Sequence, residues 1–212
     1  MKDYQQSFLN LALDSKALQF GEFTLKSGRL SPYFFNAANM LNGTNLYALA
    51  KCYVDAINDK NLDFDCIYGP AYKGIFLGSI VATLLSEQGK NYPLSFNRKE
   101  EKDHGEGGNI IGADPQGKVL IIDDVLSAGT AGRESIESIQ SLNAIPSSFI
   151  VGLDRQEKGQ SEISSSKELE NDFNIKVESI INLDTLIAFV KNQSEYSVHL
   201  SQLNQYRETW SA

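Results

Sequence analysis

The residues best suited to chemistry stand together in mid-chain, as Asp123-Asp124-Val125-Leu126-Ser127-Ala128-Gly129-Thr130-Ala131. Two adjacent carboxylates precede a turn of small residues, and Glu134, Ser135, Ile136, Glu137, Ser138 and Ile139 then carry helical spacing. Backbone N–H groups at the start of a helix are ready to hold a phosphate. Ahead of the acids, Val119-Leu120-Ile121-Ile122 reads as a buried strand of a parallel sheet, covered on both faces and ended by the acidic pair. Ligands of open α/β sheets bind at such carboxyl ends. Glycine-containing strand–turn–helix units and acids at strand ends also occur in plain connections, so the pattern by itself leaves both readings open.

Cations that could meet an anion are dispersed along the chain. Lys73 lies in Gly69-Pro70-Ala71-Tyr72-Lys73-Gly74, a second glycine-rich turn. It joins a short strand, Cys66-Ile67-Tyr68, to a helix bearing Ile75, Leu77, Ile80, Val81, Leu84 and Leu85. Lys26 lies in Thr24-Leu25-Lys26-Ser27-Gly28, and Phe34 and Phe35 follow Ser31-Pro32-Tyr33. Physically this is two short strands around a Ser-Gly turn, with a solvated Lys26 and the phenylalanines packed on a β-edge. Arg98, Lys99, Lys102 and His104 belong to the 97–112 stretch, where no apolar residue intervenes until Ile110. Such a segment suits a solvated loop, and equally a lid that must be weakly packed to open. Arg155 follows the strand Ser147-Ser148-Phe149-Ile150-Val151-Gly152-Leu153, within Asp154-Arg155-Gln156-Glu157.

The remaining periodicities supply the scaffold. Phe8, Leu9, Leu11, Ala12 and Leu13 make an amphipathic first helix, whose continuation Gly21 stops. Thr44 is an N-cap for a helix with Leu46, Leu49, Ala50, Tyr53, Val54 and Ile57 on one face. Tyr92-Pro93-Leu94-Ser95-Phe96 is a strand with proline near its start, and Val177, Ile180 and Ile181 suggest the last strand. Helices over 184–190 and 195–206 close the chain, while the serine-rich stretch within 161–174 receives no function. Alternation of strand and helix from residue 64 predicts an α/β fold with a parallel sheet and right-handed crossovers. We expect one domain over 1–212, with its α/β core over 64–182 and a separately folding cap over about 1–40.

A net charge of −8 opposes broad attraction to nucleic acid or an anionic membrane. No apolar run approaches the ~20 residues of a membrane span, and the first ten residues lack a signal-peptide core. Cys52 and Cys66 have no metal-type spacing and sit in apolar settings, as reduced cytosolic thiols do.

Four of these stretches together resemble the orotate phosphoribosyltransferases. Residues 119–131 resemble the phosphoribosyl-pyrophosphate motif shared by type I phosphoribosyltransferases, and the string from Thr24 to Phe35 resembles the amino-terminal motif of the orotate members. The basic positions from Asn97 to Gly108 match that family's flexible catalytic loop, and 69–74 its pyrophosphate turn. The resemblance implies the type I fold, a central parallel sheet flanked by helices with an N-terminal hood. It implies transfer of the phosphoribosyl group of 5-phosphoribosyl 1-pyrophosphate (PRPP) to N1 of orotate, giving orotidine 5′-phosphate and pyrophosphate in pyrimidine biosynthesis.

The same resemblance assigns Tyr72, Lys73, Arg98, Lys99, Lys102 and His104 to PRPP, chiefly its pyrophosphate. Asp123 and Asp124 would face the ribose, and residues 125–131 would cradle the 5′-phosphate. Orotate would meet Lys26, Phe34, Phe35, Ser127 and Arg155; Lys26 also belongs to the PRPP set. Lys26, Lys102, Asp123 and Asp124 are the expected catalytic residues. Mg²⁺ is implied as cofactor, held mainly through PRPP oxygens, with no protein metal ligand assigned. A cytoplasmic homodimer is implied, its lid over 97–112 reaching the neighbouring subunit. Ser127 stands where many relatives have threonine, and the hydroxyl survives.

Two alternatives accompany this reading. A phosphoribosyltransferase for another base would share 119–131 but lack the 24–35 stretch. A non-catalytic nucleotide-binding regulator of the same fold is opposed by the charge of −8 and by the lid cations.

Overall fold

The computed structural model describes residues 1–25, 28–99 and 109–212. The expectations for Lys26, Lys102 and His104 lie outside the described residues. The chain runs α1 (Asp3–Asp14), β1 (Leu18–Thr24), β2 (Leu30–Phe35), α2 (Gly43–Asp59), β3 (Cys66–Tyr68), α3 (Lys73–Glu87), β4 (Leu94–Asn97) and β5 (Ile110–Gly112). It continues through β6 (Lys118–Leu126), α4 (Thr130–Ser141), β7 (Ile145–Asp154), α5 (Ser165–Phe173), β8 (Lys176–Asn182), α6 (Leu183–Lys191) and α7 (Leu200–Trp210).

A six-stranded sheet in the order β5-β4-β3-β6-β7-β8 forms the centre among the described residues. All its pairings are parallel except β4–β5. The antiparallel edge strand was not foreseen, because Ile110-Ile111-Gly112 is too short to show a period. The continuous apolar run of β6 is explained by cover on both faces. Leu120 and Ile122 join the core built with α1, α2 and α3, while Val119 and Ile121 join the one built with α4 and α5. All four are 0% exposed, and each such burial contributes about 1.5–3 kcal/mol.

Several boundaries differ from the sequence reading. β6 does not end at the acids; it pairs with β7 through Asp123↔Val151 and on to Leu126↔Asp154, because β7 is long enough to continue the ladder. Gly21 does not stop α1, which ends at a left-handed Lys16; Gly21 lies inside β1, where the register slips between Phe20 and Phe23. The N-cap of α2 is Asn42, whose side chain accepts from the Asn45 N–H at 3.0 Å, rather than Thr44. Nor does α1 stand apart as part of a cap, since Phe8, Leu9 and Ala12 share one core with α2 and β8. The β1–β2 hairpin forms its own two-stranded sheet. Among the described residues, no helix is long and apolar enough to cross a membrane. Cys52 and Cys66 are free and buried, and burial pushes the Cys52 thiol up to about 12.

Candidate active site

A cleft of about 580 Å³ opens between the β1–β2 hairpin and the carboxyl end of β6. Lys73, Asp123, residues 125–131, Phe34, Phe35 and Arg155 all line it. Strand geometry sends successive side chains to opposite faces, and the acidic pair obeys it. Asp123 lines the cleft, whereas Asp124 is not among the lining residues and is buried, with the Lys73 Nζ at 2.6 Å. The two carboxylates therefore leave β6 on opposite faces, Asp123 toward the cleft and Asp124 toward Lys73, which itself lines the cleft.

Asp123 is held from several sides. Its Oδ1 accepts from the Asp124 N–H at 2.9 Å, and its carbonyl accepts from the Tyr53 hydroxyl at 2.8 Å. Burial raises its carboxyl to about 7, and the neighbouring Asp124 charge adds to the rise against the opposing pull of Lys73.

The turn after β6 presents backbone donors to the cleft. Gly129, with φ 81°, is the N-cap of α4, a left-handed conformation natural to glycine. No side chain caps that helix, so its leading N–H groups have no side-chain partner. Behind the turn stands α5, which lies in the 161–174 stretch that received no function. The Ser165 hydroxyl donates to the Ser127 carbonyl. A Cβ on Gly129 would meet the Ser165 Cβ at 3.2 Å, and one on Gly132 would meet the Phe149 ring at 2.7 Å.

At the base end, Phe34 stacks on Phe23 with centroids 5.5 Å apart, and Phe35 packs on Phe8 at 5.8 Å. Arg155 is only 4% exposed. Its Nε donates to Glu157 Oε1 at 2.6 Å, and its Nη2 donates to the Ser31 and Tyr206 hydroxyls at 2.8 Å each. Its Nη1 makes no hydrogen bond among the described residues, which leaves one end of the fork for a ligand. Glu157, which sequence reasoning missed, also accepts from the Ser127 hydroxyl at 2.6 Å and from Arg29 at 2.9 Å. Burial would raise its carboxyl, but Arg155 and the Ser127 and Tyr206 hydroxyls outweigh burial and hold it below its usual value.

No family model matches the chain. It is 51% identical over 210 residues to an orotate phosphoribosyltransferase of Marinobacter nauticus, covering 99% of each. It is 50% identical over 209 residues to the orotate phosphoribosyltransferase of Escherichia coli, covering 98% of each. The chain belongs to the orotate phosphoribosyltransferases. A crystal structure of the Francisella tularensis orotate phosphoribosyltransferase is similar at a TM-score of 0.85 and 39% identity, over 97% of this chain and 99% of that one. The regulator alternative finds no support in these relatives.

In this orotate phosphoribosyltransferase, three expected PRPP residues besides Asp124 stand outside the cleft lining. Tyr72 is exposed at the start of α3, and the Lys99 Nζ lies 4.8 Å from its ring centroid. The Arg98 N–H donates to the Asn109 carbonyl at 2.8 Å. Asn97 links this strand end to the turn before α3, its Oδ1 accepting from the Ala71 N–H at 2.8 Å. The residues present fit a cation brought by the substrate. Lys73 occupies Asp124, leaving Asp123 as the carboxylate on the cleft, and Mg²⁺ commonly takes one or two carboxylates with water and substrate phosphates.

Proposed function

We propose that the cleft binds PRPP and orotate together and joins orotate N1 to C1′. The C1′–O bond to pyrophosphate breaks as the N1–C1′ bond forms, and N1 gives up its proton. One observation carries the reading: an uncapped helix start behind a left-handed glycine shares a single cleft with Asp123, two hairpin phenylalanines and Arg155.

The 5′-phosphate sits on the backbone N–H groups around Ala128, Gly129, Thr130 and Ala131. Asp123 accepts from ribose hydroxyls and sets negative charge beside C1′ as it becomes cationic. Lys73 exchanges Asp124 for the departing pyrophosphate, joined by Tyr72, Arg98 and Lys99. Lys26, Lys102 and His104 keep the roles the family resemblance implies. Mg²⁺, held through PRPP oxygens, neutralises pyrophosphate charge when bound. Orotate lies against Phe34 and Phe35 with its carboxylate on Arg155 Nη1. The working unit is a cytoplasmic homodimer in which the segment joining β4 to β5 completes the neighbour's site, on a single domain with a hairpin hood; the ends of the expected 97–112 lid, Asn97 and Ile110–Gly112, are sheet residues. The buried, free Cys52 and Cys66 favour the cytoplasmic part of this reading.

Arg155→Met should raise the KM for orotate by roughly tenfold or more, the weight of a charged hydrogen bond, with the KM for PRPP nearly unchanged. Steady-state kinetics with each substrate varied separately checks this. A rise confined to PRPP would move orotate elsewhere in the cleft.

A further inference from the structure

Glu157 belongs to none of the groups that would touch a substrate, yet it holds parts of both subsites. It is 1% exposed. Oε2 accepts from the Ser127 hydroxyl of the phosphate turn at 2.6 Å and from Arg29 Nη1 at 2.9 Å. Oε1 accepts from Arg155 Nε at 2.6 Å and from the Tyr206 hydroxyl of α7. Its own carbonyl and its C-terminal neighbour are fixed as well: the Ser165 N–H donates to the Glu157 carbonyl, and the Lys158 N–H donates to the Trp210 carbonyl. One buried carboxylate thus bridges the anion turn, the arginine at the base end, the hairpin region and the C-terminal helix.

The direction of the Ser127 bond matters. A hydroxyl has one hydrogen to donate, and Ser127 gives it to Glu157. At its other end, the Ser127 carbonyl accepts from Ser165. Residue 127 is therefore tied by side chain and by backbone, which fixes the N–H groups that follow it. Its hydroxyl acts as a strut, and the anion is left to the backbone donors.

We propose that Glu157 is a positioning residue that sets the phosphate turn through Ser127 and the orotate contact through Arg155, so that the two subsites share one anchor. This rests on the assignment of those subsites above. Arg155 can present Nη1 to a carboxylate because its other donors are consumed by Glu157, Ser31 and Tyr206. Neutralising Glu157 frees the fork to turn and releases the strut at once.

The test is a pair of double-mutant cycles, Glu157→Gln with Ser127→Ala and Glu157→Gln with Arg155→Met, with KM for PRPP and for orotate measured separately. Glu157→Gln should raise both KM values, each about fivefold to tenfold, as expected for losing hydrogen bonds to a charged group. Ser127→Ala should raise mainly the KM for PRPP and Arg155→Met mainly that for orotate. Each double variant should fall well short of the product of its singles, because both changes cut the same tie. A purely structural Glu157 would lower the active fraction and leave both KM values in place, and that result overturns the proposal. So do effects that simply multiply in both cycles.

If Ser127→Ala and Arg155→Met move neither KM, the subsite assignment itself fails. If they move theirs and Glu157→Gln moves none, only the anchor fails. Should Glu157→Gln not fold, Arg29→Met/Glu157→Gln restores the local charge balance by removing one of the two cations. Its KM pattern is then read in the same way.

Discussion

At the scale of single residues, Asp123 offers the sharpest handle. Its carboxyl is raised to about 7, first by burial and then by the charge of Asp124. In the unfolded chain it titrates near its usual value of about 4. Between those two pH values the folded protein keeps a proton that the unfolded chain has released, so this group removes stability as pH rises through the window. Asp123→Asn should therefore lose less stability than the parent between about pH 4 and 7, by on the order of 1–4 kcal/mol, measured by denaturant unfolding at several pH values. A carboxylate that must be ionised to meet the ribosyl cation also predicts kcat/KM rising through about pH 7. That limb should be absent from Asp123→Asn, with activity down by roughly a hundredfold. Both acids were legible in the sequence, as was their place just ahead of the glycine turn that starts α4. Their division between two faces follows from the period of a strand, once β6 is seen to continue past them to Leu126.

At the scale of elements, the turn proposed to hold the 5′-phosphate rests against α5. Leu169 of that helix is 1% exposed and belongs to the core shared with Ile136 and Ile139 of α4. Leu169→Ala should destabilise the fold by about 2–5 kcal/mol. It should also raise the KM for PRPP more than that for orotate, since the cavity opens under Gly129 and Gly132. Thermal unfolding and steady-state kinetics on one preparation give both values. Strands β6 and β7 and helices α2, α3 and α4 could be read in advance because their apolar runs or stripes are long, whereas the three-residue β3 was readable from its place before a glycine-rich turn. The helix α5 could not, because its serine-rich entry reads as a connection and only Leu169 is a buried apolar residue within it. The Glu157 network was hidden for another reason. Arg29, Ser127, Arg155, Glu157 and Tyr206 converge only through tertiary packing, and no spacing in the chain links them.

At the scale of the whole molecule, the family motifs carried the fold, while the placement of α1 within the main core and the antiparallel β5 came only from the structure. A shared dimeric site makes its own prediction. If Lys102 acts across a two-fold interface, mixing Lys102→Ala and Asp123→Asn subunits, each nearly inactive alone, leaves one intact site in each heterodimer. Random exchange then restores about a quarter of the parent activity, because half of the dimers are mixed and each has one working site. Demonstrated exchange with no recovery would place Lys102 in its own subunit's site. The choice of base is the central claim, and it is tested most directly by offering orotate, uracil, adenine and hypoxanthine in turn with PRPP and Mg²⁺. The expected result is consumption of orotate alone, with orotidine 5′-phosphate and pyrophosphate appearing one for one. Turnover of a purine or uracil, or of no base at all, would contradict it.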